Sequence, residues 1–243
     1  MVALPSRHRN TADQREARHD DGLPMAAQGV PIAVPGTSAV NQTGRMEALS
    51  DGIFAIAMTL LVLDLKAPDI SANQTLLAAI GDQWTSYLAF VIGFFTLLVC
   101  WINHHYMFEY IEEKDGPLML LNGFKLLVVS FTPFATSLLA RFINTGHEQA
   151  AVSFYAANFF LMGFAMTSLW CYASARGLTK PAQPGVIPAM TRLYQAATII
   201  SGAILLLSFI SVWPAFAVFC AMFGIFVFPR GVAEAIAARR AVA

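Results

Sequence analysis

Apolar residues in this chain gather into long runs separated by short polar stretches. The runs cover 46–65, 84–110, 117–142, 150–175, 187–209 and 212–228. Each is close to or above the ~20 residues that a helix needs to cross about 30 Å of hydrocarbon. The pattern therefore predicts an all-α, polytopic membrane protein with six transmembrane helices. A short amphipathic run at 75–80 precedes the second span. The last two runs are parted only by Ser211-Val212-Trp213-Pro214, a reversal that Pro214 can begin. Merging them into one kinked helix would leave five spans.

Charge favours six. With six spans and the N-terminus inside, every lysine and arginine of the 15 except Lys66 and Arg141 falls on the cytoplasmic side. That is the asymmetry of the positive-inside rule, and five spans would put Arg239 and Arg240 on the opposite side. Both termini are thus expected in the cytoplasm, with the spans in the cell membrane. Residues 1–43 are polar and lack apolar periodicity, so they read as a disordered cytoplasmic tail. Arg7, Arg9, Arg15 and Arg18 lead into no signal-peptide hydrophobic region. Residues 44–230 form the membrane domain and 231–243 a short tail. Trp84, Trp101, Tyr110, Tyr155, Trp170 and Trp213 sit mostly near span ends, as an interfacial aromatic belt would.

Composition agrees. The chain is 57% hydrophobic and 12% charged, against about 25% charged for a soluble domain. Its net charge of zero gives no electrostatic basis for a nucleic-acid partner. Cys100, Cys171 and Cys220 are far apart within apolar runs, with neither metal-ligand spacing nor a disulfide framework.

The first span differs from the rest. It opens Arg45-Met46-Glu47-Ala48-Leu49-Ser50-Asp51-Gly52, placing ionisable groups in the first turns of a membrane helix. Such groups are costly and generally face a bundle interior or a water-filled cavity. Alternatively, Asp51 is an interfacial acid at a helix start, with Arg45 reaching to headgroups. Further along, Ile56, Thr59, Leu60 and Leu63 are spaced to share one helix face. Apolar residues at this spacing are also ordinary in any membrane helix.

These residues resemble the transmembrane protein 175 family of potassium channels. The likeness is an Arg-x-x-x-Phe-Ser-Asp-Gly start followed by an apolar run of the Phe-Ala-Ile-Ala-x-Thr-Leu-Leu-Val-Leu type. It continues in Trp101-Ile102-Asn103-His104-His105, in Leu120-Leu121-Asn122, and in Ser130-Phe131-x-Pro133-Phe134, so that it covers roughly residues 45–142. One position departs, because Leu49 stands where the family has Phe. The resemblance implies a homotetramer with a central pore lined by the first helix, permeant to K+ and other monovalent cations. No carbonyl filter of the Thr-Val-Gly-Tyr-Gly kind is present. It also implies a hydrophobic constriction at Ile56, acting as gate and selectivity element, further rings at Leu60 and Leu63, and a selectivity-linked Thr59. Asp64 is a candidate outer acidic ring. Arg45, Ser50 and Asp51 would form a polar network on the cytoplasmic side, with His104 or His105 as partner.

Tandem histidines also raise the idea of a metal site. Adjacent helical residues point in different directions, and no cysteine or carboxylate completes a ligand set, so none is assigned. No cofactor is expected. An enzyme reading lacks a catalytic order of residues. The competing class is a proton- or ion-coupled transporter using Asp51 and His104, with Glu47, as a relay. The absence of an inverted pair of broken spans weighs against it.

Overall fold

The computed structural model describes residues 40–70 and 72–226. Among them are seven α-helices and no β-sheet: α1 Val40–Leu60, α2 Leu76–Asp82, α3 Trp84–Phe108, α4 Gly116–Phe142, α5 Glu148–Ala175, α6 Val186–Ser208 and α7 Val212–Phe226. A 3-10 turn, Leu61–Asp64, continues α1. Five segments are long and apolar enough to cross a bilayer, namely α1 with its 3-10 turn, α3, α4, α5 and α6. The sixth expected span is also helical. Its 15 described residues reach about 22 Å at 1.5 Å per residue, and the rest of 212–228 lies outside the described residues. The expected tails at 1–43 and 231–243 lie there too, except that residues 40–43 belong to α1, so the helix starts earlier than the polar character of that stretch suggests.

Helix ends follow from local chemistry. Asp115 caps α4, its carboxylate accepting from the Leu118 amide at 2.9 Å, and Pro117 occupies the first turn, where its missing N–H costs nothing. At the far end of α5, Gly177 takes φ 70°. The Leu178 amide then donates to the Ala173 carbonyl and the Gly177 amide to that of Ser174, the paired bonds of a Schellman stop.

Side-chain hydrogen bonds set the order and direction of the helices. Asn158 of α5 donates to Thr132 of α4 (3.0 Å), Tyr155 meets Thr96 of α3 (2.8 Å), and Trp170 donates to Thr191 of α6 (2.9 Å). Thr167 bonds Thr198 and Ser208 bonds Ser153, so α5 and α6 run antiparallel over most of their length. Hydroxyls suit this purpose, since they satisfy themselves within the bundle where lipid offers nothing. Trp170 and Tyr155 are therefore core residues rather than belt residues, Trp170 with no exposed surface. A short bridge between Ile111 and Thr179 ties the α3–α4 loop to the α5–α6 loop at one end of the bundle.

Among the described glycines, Gly93 of α3 has the closest neighbours. A Cβ there would lie 2.7 Å from Thr136 Oγ1 and 3.1 Å from Leu61 Cδ2, closer than packed atoms allow. Thr136 cannot swing away cheaply, being β-branched and bonded back to the Thr132 carbonyl. Gly93→Ala should cost about 1–3 kcal/mol by overpacking, read as a lower melting temperature in detergent, and Gly93→Ala/Thr136→Ala should recover most of it. A second expectation concerns acid. The Tyr172 hydroxyl, 2.6 Å from Asp115, and then the Leu118 amide hold the Asp115 carboxyl below its usual value. Folding then favours the carboxylate, so this stabilisation is complete above the ordinary aspartate range and lost as pH falls through and below it. Melting curves against pH should show a shallower acid limb for Asp115→Asn than for the wild type; identical limbs would remove Asp115 from the account.

Candidate functional site

Two faces divide α1. Met46, Ser50, Phe54, Ala57 and Leu61 form a buried stripe against α3 and α4. Opposite them, Leu49, Ile56, Thr59, Leu60 and Leu63 touch little of their own chain, Ile56 being 59% exposed and Leu63 68%. Thus the four residues that share a face in sequence share one in space, and that face points away from the chain's own bundle. Thr59 Oγ1 donates to the Ile56 carbonyl at 2.8 Å. With its proton directed back along the helix, the hydroxyl turns its lone pairs outward, the polarity that suits a cation.

The buried stripe ends in a polar cluster. Ser50 donates to the Met46 carbonyl (2.8 Å) and accepts from the Asn122 side-chain amide (3.2 Å), linking α1 to α4. Behind Phe54 lies Lys125 of α4, which has no exposed surface. Its Nζ sits 2.6 Å from His104 Nδ1 and 5.6 Å from the ring centres of both Phe54 and Phe108. A hydrogen bond and two aromatic rings thus surround the lysine nitrogen far from water. Sequence reading placed Lys125 with the basic residues of the cytoplasmic side and missed its part here. The signal was available: a lysine nine residues into an apolar run is too deep for an interfacial charge and must find an internal partner.

The motif residues are partnered differently from expectation. Asp51 Oδ1 accepts from the indole Nε1 of Trp101 at 2.8 Å, while His104 turns inward to Lys125. His105 stacks on Trp101 at 5.8 Å and lies 4.0 Å from Glu109. Helical geometry explains the split. Residues 101 and 105 are one turn apart on one face, whereas 104 lies about 100° away from 105. The expected histidine partner of Asp51 is thus replaced by Trp101, which shares the face of His105. Arg45 is exposed and Glu47 half-buried near the start of α1. At the other end, Asp64 is exposed and accepts from Ser137 of α4 at 3.2 Å, which ties the 3-10 turn to the bundle.

Comparison with known proteins gives this arrangement its context. The family described as "Endosomal/lysosomal potassium channel TMEM175" matches residues 45–133, the stretch that holds α1 and its anchors. A potassium channel of Chamaesiphon minutus is 38% identical over 71% of this chain and 87% of its own length. A potassium channel of Streptomyces collinus is 40% identical over 57% of this chain and 68% of its own. The crystal structure described as a lysosomal potassium-selective channel TMEM175 homolog, also from Chamaesiphon minutus, superposes with a TM-score of 0.68 at 36% identity. That match covers 76% of this chain and 96% of the other. These relatives are channels, not enzymes, and the helices described above make this a multi-pass membrane protein. The chain belongs to the TMEM175 channel family.

Proposed function

We propose that this protein is a potassium-permeable cation channel of the cell membrane, formed by four copies whose α1 helices line a central pore. One observation carries the reading. The Ile56/Thr59/Leu60/Leu63 face is left unpacked by its own chain, while the opposite face is held by buried polar contacts. A helix fixed in rotation from behind can present its front to copies of itself around an axis. Four Ile56 side chains would form a constriction that closes by excluding water, and Thr59 would offer outward lone pairs to a partly dehydrated ion. Asp64, exposed where α1 ends, would gather cations at that mouth. The potassium-channel names of the two bacterial relatives support the choice of ion.

Orientation follows the charges. Arg45, Lys114, Arg176 and Lys180 lie at the bundle end that carries the start of α1 and the two bridged loops, and Lys66 and Arg141 at the opposite end. The first end is then cytoplasmic. A proton-coupled carrier is less well supported, because Asp51 and His104, the groups that would exchange a proton, are each engaged by a different partner.

In planar bilayers the purified protein should carry unitary potassium currents. Ile56→Asn should raise cation leak in liposomes by about tenfold or more, the change produced by ~1.4 kcal/mol in a barrier. Lack of conductance combined with an unchanged leak would sink the proposal. The anchor is tested separately. Lys125→Met keeps the length of the side chain but leaves the His104 ring nitrogen without its buried partner, a loss of about 1–3 kcal/mol. Lys125→Met/His104→Leu should restore much of that stability in thermal unfolding. Equal losses in the single and double variants would mean that the pair is not an anchor.

A further inference from the structure

We propose that a second site lies on the far side of α3 from the pore helix, a cavity that takes a small apolar ligand: one hydrocarbon chain or ring without hydrogen-bonding groups. The cavity has a volume of about 70 Å³ and is walled by α3, α5, α6 and α7. Gly163 of α5 lines it where the neighbouring turns present Phe159, Met162 and Met166.

Ligand class follows from the state of the polar lining. Thr96 Oγ1 is bonded to the Ile92 carbonyl and the Tyr155 hydroxyl. Thr167 Oγ1 is bonded to the Tyr194 carbonyl and to Thr198. The Asn103 side-chain amide donates to the Val99 carbonyl and the Tyr194 hydroxyl to that of Asn103. The surface that these residues present to the cavity is almost wholly apolar, so a water there would find few partners. An apolar guest loses nothing by entering. Met162, Met166 and Met222 add flexible, polarisable walls that adapt to guests of differing shape. Two sources can supply such a guest, an acyl chain of the surrounding bilayer or a free apolar solute. Cys100 lines the cavity and also belongs to the core that packs Phe54 and Leu61 of α1, so the site lies one helix behind the proposed pore.

Binding does not depend on conductance, and its test can fail independently of the channel reading. A Cβ at Gly163 would sit 3.4 Å from Ser201 Oγ and 3.8 Å from Thr198 Oγ1, ordinary contacts with side chains and none with backbone, so Gly163→Leu is the first variant for adding bulk at the cavity wall. Crystals of the full chain under xenon pressure should show xenon among these residues, or a continuous chain density in the same place. Xenon identifies a site open to free solutes, and chain density identifies bilayer lipid as the source. Either should disappear in Gly163→Leu, with Ala197→Leu as the second variant should the first not fold. Wild-type crystals with neither feature, or xenon equally strong in the filled variant, overturn the proposal.

Discussion

A lysine amine with no exposed surface, lodged inside a membrane bundle, is the constraint on which the placement of α1 depends. Lys125 cannot reach water, so everything it needs must come from its neighbours: His104 of α3 at 2.6 Å and the rings of Phe54 and Phe108. A buried polar group deprived of its neighbours is costly, so rotations of α1 that withdraw Phe54 are disfavoured. Ser50 and Asn122 add a second tie one turn away. Because both ties grip the same stripe of α1, the opposite stripe is fixed in direction while touching little of its own chain.

The rest of the bundle is built to hold that arrangement rigidly. Between helices in lipid the hydrophobic effect supplies little drive, and close packing with short polar bonds takes its place. Gly93 brings α3 against Thr136 and Leu61, so that the end of α1 is clamped where it turns into its 3-10 segment. Further out, the Thr96–Tyr155 and Asn158–Thr132 bonds join α3 and α4 to α5, and the ladder from Trp170–Thr191 to Ser208–Ser153 joins α5 to α6. Each bond joins neighbouring helices, and together they extend the support of α1 across the bundle.

Much of this was legible in the sequence, because a bilayer imposes length and apolarity on each span in a form the sequence must carry. The second span begins at Trp84 and the third ends at Phe142 both in the pattern and in space. The Ile56/Thr59/Leu60/Leu63 face could be read because α-helical periodicity converts spacing directly into direction. Partners were harder. Asp51 bonds Trp101, which shares a face with His105, while His104 lies about 100° round the helix, and no spacing within α1 reveals that partner. Lys125 was misplaced because a count of charges near span ends ignores depth. Trp170 likewise lies near a span end yet is buried, since its indole N–H finds Thr191 inside the bundle.

Leu49 shows how the two faces change the meaning of a substitution. From sequence alone, the exchange of the family's Phe for Leu beside Ser50-Asp51 leaves an apolar side chain that can still pack but loses an aromatic contact. In the structure Leu49 is 58% exposed, on the side of Ile56, while its neighbour Ser50 is fully buried. The exchange therefore does not touch the buried stripe of α1. Whatever consequence it has is felt where the outward face of α1 meets its surroundings, one to two turns before the proposed constriction. A position that looks architectural by its place in a motif is thus, by its direction, a neighbour of the proposed pore.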